Sequence, residues 1–466
     1  MSNPINVNRV NQDARPSRRQ FLANSTLATS AALSLAAATS SSISRTAHAA
    51  GTDTFRIGLI GSGGRGSGAA ADAMTAMPNA KIVAMTDAFE DRVRASRDNL
   101  TEVFEDRVDV PDERMFWGLD GYKGVLENSD IVIIACTSRF HPYYTKAAVE
   151  AGKHVFVEKP HALDPHGIGI VLKAAETAKQ NGTALVSGLC YRYDTARREA
   201  IERIRQGEIG DIVAVQCDYM RTPYNLVTRK PEWSEMEYQF RNWYHFTWMS
   251  GDDILQSLLH NLDSAIQVLN EELPVRAYGM GGRSPDVNIS PALGNNFDHH
   301  AVIWDYEDGK RIYGGCRTAM GCVHSNMDVF HGTKGRCVFR ATGEPKLQDL
   351  AGNDTWVFKG PRERDMYVQE HYEMLQSIAN GNPINDGQRM ARTTLVAIMG
   401  LYVCYGGEAM EWQTMWDDAN GAGEMIFGPK QEDVSFEMTP PYLPDEKGYY
   451  MVSTPGITKP GQDFTS

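Results

Sequence analysis

The sequence predicts an α/β fold: an N-terminal domain on a parallel sheet, then an α+β domain with a largely antiparallel open sheet. Three observations carry this. Residues 55–60 are a short apolar run fit for a buried parallel strand. Gly61, Gly63 and Gly66 follow as G-x-G-x-x-G, and the Ala-rich run 69–73 continues with helical character. Apolar strands then alternate with helices up to about residue 186, after which strands alternate with turns.

Strand, glycine turn and helix in that order are the context of a dinucleotide-binding unit. Gly61 permits the tight turn, Gly63 lets the backbone approach a pyrophosphate, and Gly66 lets helix and strand pack closely. Ser62, Gly64 and Arg65 complete the turn, and the helix N-terminus faces the phosphates. Residues 52–186 are therefore expected to be a Rossmann domain. The next strand, Lys81–Asp87, ends in an acid. Asp87 falls about 20 residues past the last motif glycine, where a carboxylate hydrogen-bonds the ribose hydroxyls. An acid there repels a 2′-phosphate, so NAD is expected rather than NADP.

Residues 130–136 give a third apolar strand, followed by Thr137-Ser138-Arg139-Phe140-His141. A helix over 143–151 leads to strand 155–157, which ends in Glu158-Lys159-Pro160. In an open parallel sheet, ligands sit beyond the carboxyl ends of the strands. Thr137, His141, Glu158 and Lys159 are thereby placed at the cofactor edge.

The chain has 466 residues, enough for two domains with a sizeable core. Its formal charge of −13 argues against a nucleic-acid partner and favours small polar ligands. Residues 1–49 read as a removable leader. Ser17-Arg18-Arg19-Gln20-Phe21-Leu22 is a twin-arginine pattern, a mildly apolar Ala-rich stretch follows, and Ala47-His48-Ala49 is an A-x-A cleavage site. The twin-arginine machinery exports folded proteins, so the expectation is a periplasmic or otherwise exported protein whose NAD is loaded before export and tightly kept. No membrane association is expected once the leader is removed. The seven cysteines are odd in number, lack C-x-x-C and read mostly as small buried apolar groups. Asp298-His299-His300 sits in an apparent strand, whose neighbours point to opposite faces, so no metal is expected.

The combination of Gly61–Gly66, Asp87, the Ala135–His141 segment and Gly152-Lys153-His154-Val155-Phe156-Val157-Glu158-Lys159-Pro160 resembles the Gfo/Idh/MocA oxidoreductase family. The likeness runs from about residue 54 to 430. It implies that Lys159 lies beside the nicotinamide and contacts the substrate hydroxyl, and that Pro160 shapes the turn through a cis bond.

A second constellation lies at Ser250–Asp263. Gln256, His260 and Asp263 are spaced i, i+4, i+7, which predicts one helix face carrying all three. With the family pattern, His260 becomes the proton acceptor. Family members commonly carry an acid at the position of Gln256 and a Gly at that of Leu258, so this chain departs from the usual acid–His relay. Arg241, Asn242 and Trp243 open an aromatic run that suits a sugar ring and its hydroxyls, or an aromatic core. Tyr191 and Arg192, in the segment leaving the nucleotide domain, are candidates for the cleft wall, as is Asp263. Residues 187–430 form the second domain, expected to bind substrate and to build a homo-oligomer. Residues 431–466, rich in Pro, Gly and Tyr, read as an extended arm.

These features together lead to an exported oxidoreductase passing hydride between a small-molecule carbohydrate or polyol and bound NAD. Two alternatives stay open: an NAD-dependent glycosidase or lyase with transient oxidation, and a catalytically silent NAD-containing sugar-binding protein. The second draws on the missing acid at position 256.

Overall fold

A computed structural model describes residues 54–284, 293–421 and 423–457. The expected leader, residues 1–49, lies outside them. Strands β1 (Phe55–Ile60), β2 (Ala80–Asp87), β3 (Met115–Trp117), β4 (Ile131–Ile134), β5 (His154–Val157) and β6 (Leu185–Ser187) form a six-stranded sheet. Its order is β3-β2-β1-β4-β5-β6, and every pairing is parallel. All four residues of β4 are buried, as helices cover both sheet faces, which explains its unbroken apolar run. The strand order reverses between β1 and β4, so the switch-point crevice lies where Gly61 and Ala135 leave the sheet.

The second sheet has nine strands: β7 (Ile212–Arg221), β8 (Arg276–Gly282), β9 (His299–Asp305), β10 (Arg311–Thr318), β11 (Ser325–Gly332), β12 (Gly335–Arg340), β13 (Lys346–Asp349), β14 (Asp354–Val357) and β15 (Met410–Glu411). Only β7 and β10 pair in parallel, so the sheet is largely antiparallel. β9 and β10 alternate buried and exposed positions, as a sheet covered on one side must. The covered face packs on helices Leu259–Val268 and Gly387–Gly406, while Tyr313 and Met280 are exposed.

Helix Met366–Ala379 returns to the nucleotide domain. It packs on helix Gly64–Ala76, and its Met374 and Leu375 join the core of Ile57, Leu59 and Ala73. The arm lies along its own chain: Gln239 donates to the Tyr442 carbonyl at 2.6 Å and Tyr450 donates to Glu235 at 2.6 Å. All seven cysteines are free thiols, five of them buried. No helix among the described residues is long and apolar enough to cross a membrane.

Candidate active site

The nucleotide end is built by sterics. Gly61 adopts φ +97°, and a Cβ there would strike the Cys136 backbone. A Cβ on Gly66 would collide with the Gly61 carbonyl oxygen, so only glycine lets β1 and helix Gly64–Ala76 approach this closely. That helix has no side-chain cap at Gly63, and nothing lies within 4 Å of a Cβ built on Gly64. Uncapped amides opening onto free space are the cradle a pyrophosphate requires, so the residues present fit NAD. Asp87, at the end of β2, accepts from the Ser62 amide at 2.9 Å and the Phe89 amide at 3.2 Å. Burial raises its pKa, against the pull of Arg92. Gly61, Asp87, Thr137, Leu119, Phe140 and Tyr144 are among the residues lining one pocket of about 320 Å³.

Two expected cofactor residues point elsewhere. His141 sets Nδ1 2.7 Å from the Pro160 carbonyl and Nε2 3.1 Å from that of Cys136, joining the turn after β4 to the turn after β5. Burial pulls its pKa to about 4. Arg65 leaves the phosphate turn for Asp72 at 2.7 Å and Glu158 at 3.0 Å, with its guanidinium 4.8 Å from the Tyr367 ring centroid. It thus sits beside Glu158, at the end of β5.

Lys159 follows β5 and enters a cis bond to Pro160. Its Nζ donates to the Gln256 carbonyl at 2.7 Å, and burial pulls its pKa below the ordinary lysine range. His260 is half-buried beside Tyr191, ring centroids 4.9 Å apart, and its covered Nδ1 has no hydrogen-bond partner among the described residues. Burial holds its pKa well below the ordinary value, and the Lys159 cation adds to this. The two groups therefore feel one another across the cleft. The imidazole is neutral at pH 7, as a proton acceptor must be.

The common face predicted for Gln256, His260 and Asp263 is not formed. Residues Ile254–Leu258 make a π turn before the α-helix begins at Leu259. The wider turn rotates the two ends out of register. The Gln256 amide donates to Ser138 Oγ at 3.0 Å and to the Ser250 carbonyl, not to His260. Gln256→Glu should consequently leave His260 alone and face a buried carboxylate with the Ser250 carbonyl. The expected cost is about 1–3 kcal/mol of stability, read by urea unfolding.

Asp263 and Arg192 are bound to each other, with Arg192 Nε at 2.9 Å from both carboxylate oxygens, Nη2 at 2.7 Å, and Glu271 2.6 Å from Nη1. Asn242 is spent on the loop backbone at Val227, at 2.7 and 3.1 Å. Arg241 spans to the nucleotide domain, where both Nη atoms meet Asp91 at 3.2 and 3.3 Å. Trp243 heads a stack: Trp243 on Tyr244 at 3.7 Å, Tyr244 on Tyr224 at 3.8 Å, and Tyr224 under the Arg221 guanidinium at 3.5 Å.

That stack borders a second pocket, which sequence reasoning missed. Arg221, Tyr224, Tyr244, Asp253 and Gln256 are among its lining residues. Lys159 adjoins it, since its Nζ rests on Gln256 and it feels the charges of Arg221 and Asp253. Asp253 Oδ2 and Asn296 Oδ1, both on lining residues, have no partner among the described residues. The sequence signal was the pair Arg221 and Tyr224, a cation and an aromatic at the end of β7. Of the Asp298–His300 run, His299 is exposed and pairs with Asp298 at 2.6 Å, while buried His300 reaches Asp252 at 3.0 Å.

A parallel sheet with a glycine turn that fits a dinucleotide, joined to a second domain whose His260 feels the Lys159 charge, defines a class: an NAD(P)-dependent oxidoreductase acting on CH–OH groups. Residues 55–185 match the oxidoreductase family with NAD-binding Rossmann fold, GFO_IDH_MocA. That match is confined to the nucleotide domain. It is 24% identical to a myo-inositol 2-dehydrogenase of Thermotoga maritima over 336 residues, 71% of this chain and 90% of that one. It is 28% identical to glycosyl hydrolase family 109 protein 1 of Bacteroides fragilis over 194 residues, which are 41% of this chain and only 38% of that relative. Among solved structures, the aldose-aldose oxidoreductase of Caulobacter crescentus, complexed with glycerol, superposes with a TM-score of 0.61 at 18% identity, over 77% of this chain and 99% of that one. A levoglucosan dehydrogenase in complex with NADH gives 0.60 at 16% identity, over the same shares. These likenesses establish the shared fold.

Proposed function

We propose that this is an exported enzyme that oxidises a hydroxyl of a sugar, polyol or derivative against a tightly held NAD. The observation that carries it is the 2.7 Å bond from Lys159 Nζ, in the nucleotide domain, to the Gln256 carbonyl, in the second-domain segment that leads into His260. When bound, NAD supplies the hydride acceptor. His260 takes the hydroxyl proton, and Lys159 stabilises the developing charge on the substrate oxygen. The Tyr224–Tyr244 plate and the unpaired acceptors on Asp253 and Asn296 suit a ring bearing hydroxyl donors. The twin-arginine pattern at Arg18–Arg19 supports periplasmic delivery through the twin-arginine machinery. The exposed sheet face with Tyr313 and Met280 supports a homo-oligomer.

The cofactor choice rests on Asp87. Asp87→Ser should weaken NAD binding and improve the NADP:NAD affinity ratio, measured by titration calorimetry. Unchanged NAD affinity would remove Asp87 from the site.

The likeness to a glycosyl hydrolase favours a second reading, in which oxidation is transient and the net reaction is cleavage. One experiment separates the possibilities. The full chain is recovered from a periplasmic fraction, its nucleotide is identified, and absorbance at the reduced-nicotinamide band is followed while glycosides and free sugars are mixed in. Stable absorbance marks a dehydrogenase. Transient absorbance with released aglycone marks the glycosidase. None at all, with sugar bound, marks the silent binder and overturns the proposal.

A further inference from the structure

We propose that the second domain supplies a roof over the adenosine end of the cofactor, made of Phe240, Arg241 and Phe436, which slows nucleotide release. This rests on the assignment of NAD to the cradle at Gly61–Gly66. Phe240 lines the same pocket as Gly61 and Asp87, although it comes from helix Glu235–Arg241, more than 150 residues after Asp87. Among the described residues, it is the only one lining that pocket from beyond the nucleotide domain. Its ring is buried, 5.8 Å from that of Phe140 and 6.2 Å from that of Trp248, so it is fixed in place.

The neighbouring residue ties the roof down. Arg241 makes a forked ion pair with Asp91, and its guanidinium lies 3.9 Å from the Phe89 ring centroid. Phe89 and Asp91 lie just past Asp87 in the chain, the residue assigned to the ribose. From the arm, Phe436 packs against Phe240 at 4.9 Å and against Phe89 at 5.7 Å, bridging the two domains. The arm is itself fastened to helix Glu235–Arg241 through Tyr442 and Tyr450. Phe140, Tyr144, Leu119 and Phe240 give the pocket apolar and aromatic walls, as a flat purine needs, with Asp87 as its acceptor. An adenosine placed there meets the Phe240 ring, and the contacts among Arg241, Asp91, Phe89 and Phe436 hold that ring in position.

The test uses holoprotein loaded with labelled NAD and chased with unlabelled NAD. Base–aromatic contacts are worth about 1–3 kcal/mol on truncation, which is roughly 5- to 150-fold in affinity. Phe240→Leu should weaken ADP-ribose within that range. Arg241→Ala should speed NAD release by about tenfold. Nicotinamide mononucleotide, which lacks the adenosine, should bind both variants as it binds the parent. Equal release rates and equal ADP-ribose affinity in parent and Arg241→Ala would overturn the roof, and Arg241 is far enough towards the rim to decide the matter if Phe240→Leu does not fold. Equal loss of nicotinamide mononucleotide would also overturn it, by showing general damage to the fold. A parent protein that binds neither NAD nor ADP-ribose would instead overturn the assignment of the cofactor itself.

Discussion

Replacing His260 with Ala lowers the rate of bound-cofactor reduction by about 10²–10⁴-fold, the usual loss when a positioned proton acceptor is removed. The nucleotide stays, because its cradle at Gly61–Gly66 and its anchor at Asp87 are untouched. His260 is suited to the task by its surroundings. It is the first full turn of helix Leu259–Val268 that aims it, the Tyr191 ring that orients it, and burial that keeps it uncharged. The pH dependence follows with a definite sign. A histidine whose pKa lies well below the ordinary value is disabled only when it protonates, so kcat/KM should stay level from neutral into mildly acid pH. Its acid limb should fall well below pH 6.5 and vanish in His260→Ala. A variant turning over at the parent rate, or an acid limb at the ordinary histidine value, would refute the assignment.

Lys159→Ala is the second large effect, expected at about 10²-fold or more in kcat/KM, as for the loss of a preorganised charge beside a developing oxyanion. Lys159 is half-buried and holds a main-chain oxygen, so its charge is fixed in direction before substrate arrives. Because burial lowers its pKa, the alkaline limb should begin below the ordinary lysine value of 10.5, as the cation is lost with rising pH. The variant also strands the Gln256 carbonyl, so thermal unfolding must be run beside kinetics. Lys159→Met, which preserves the stem, separates lost charge from lost packing. Parent-like kinetics in both variants would remove Lys159 from the chemistry.

The nucleotide domain was legible because its signals are local. Gly66 is demanded by a collision with Gly61 in the same turn, and β4 reads as apolar because both its faces are covered. The second domain's sheet was legible through the alternation in β9 and β10. What the sequence hid was partnership at a distance. Arg192 and Arg241 show their charge but not that Asp263 and Asp91 neutralise it. A spacing of i, i+4, i+7 presumes 3.6 residues per turn, and nothing in Ile254–Leu258 announces a π turn. Nor could helix Met366–Ala379 be assigned to the nucleotide domain, since its apolar stripe fits any facing surface.

The contact between Lys159 and position 256 runs through the main chain, and that changes what variation can do there. A peptide oxygen is present whichever amino acid is encoded. Related genes could interchange acid, amide or apolar residues at 256 and still hold the lysine at the same angle. Divergence at this position would then adjust the neighbourhood of Ser138 and Ser250 while the anchor persisted. A comparison of side chains alone would score the site as variable and overlook the constraint, which falls on the path of the backbone from Gly251 to Leu259.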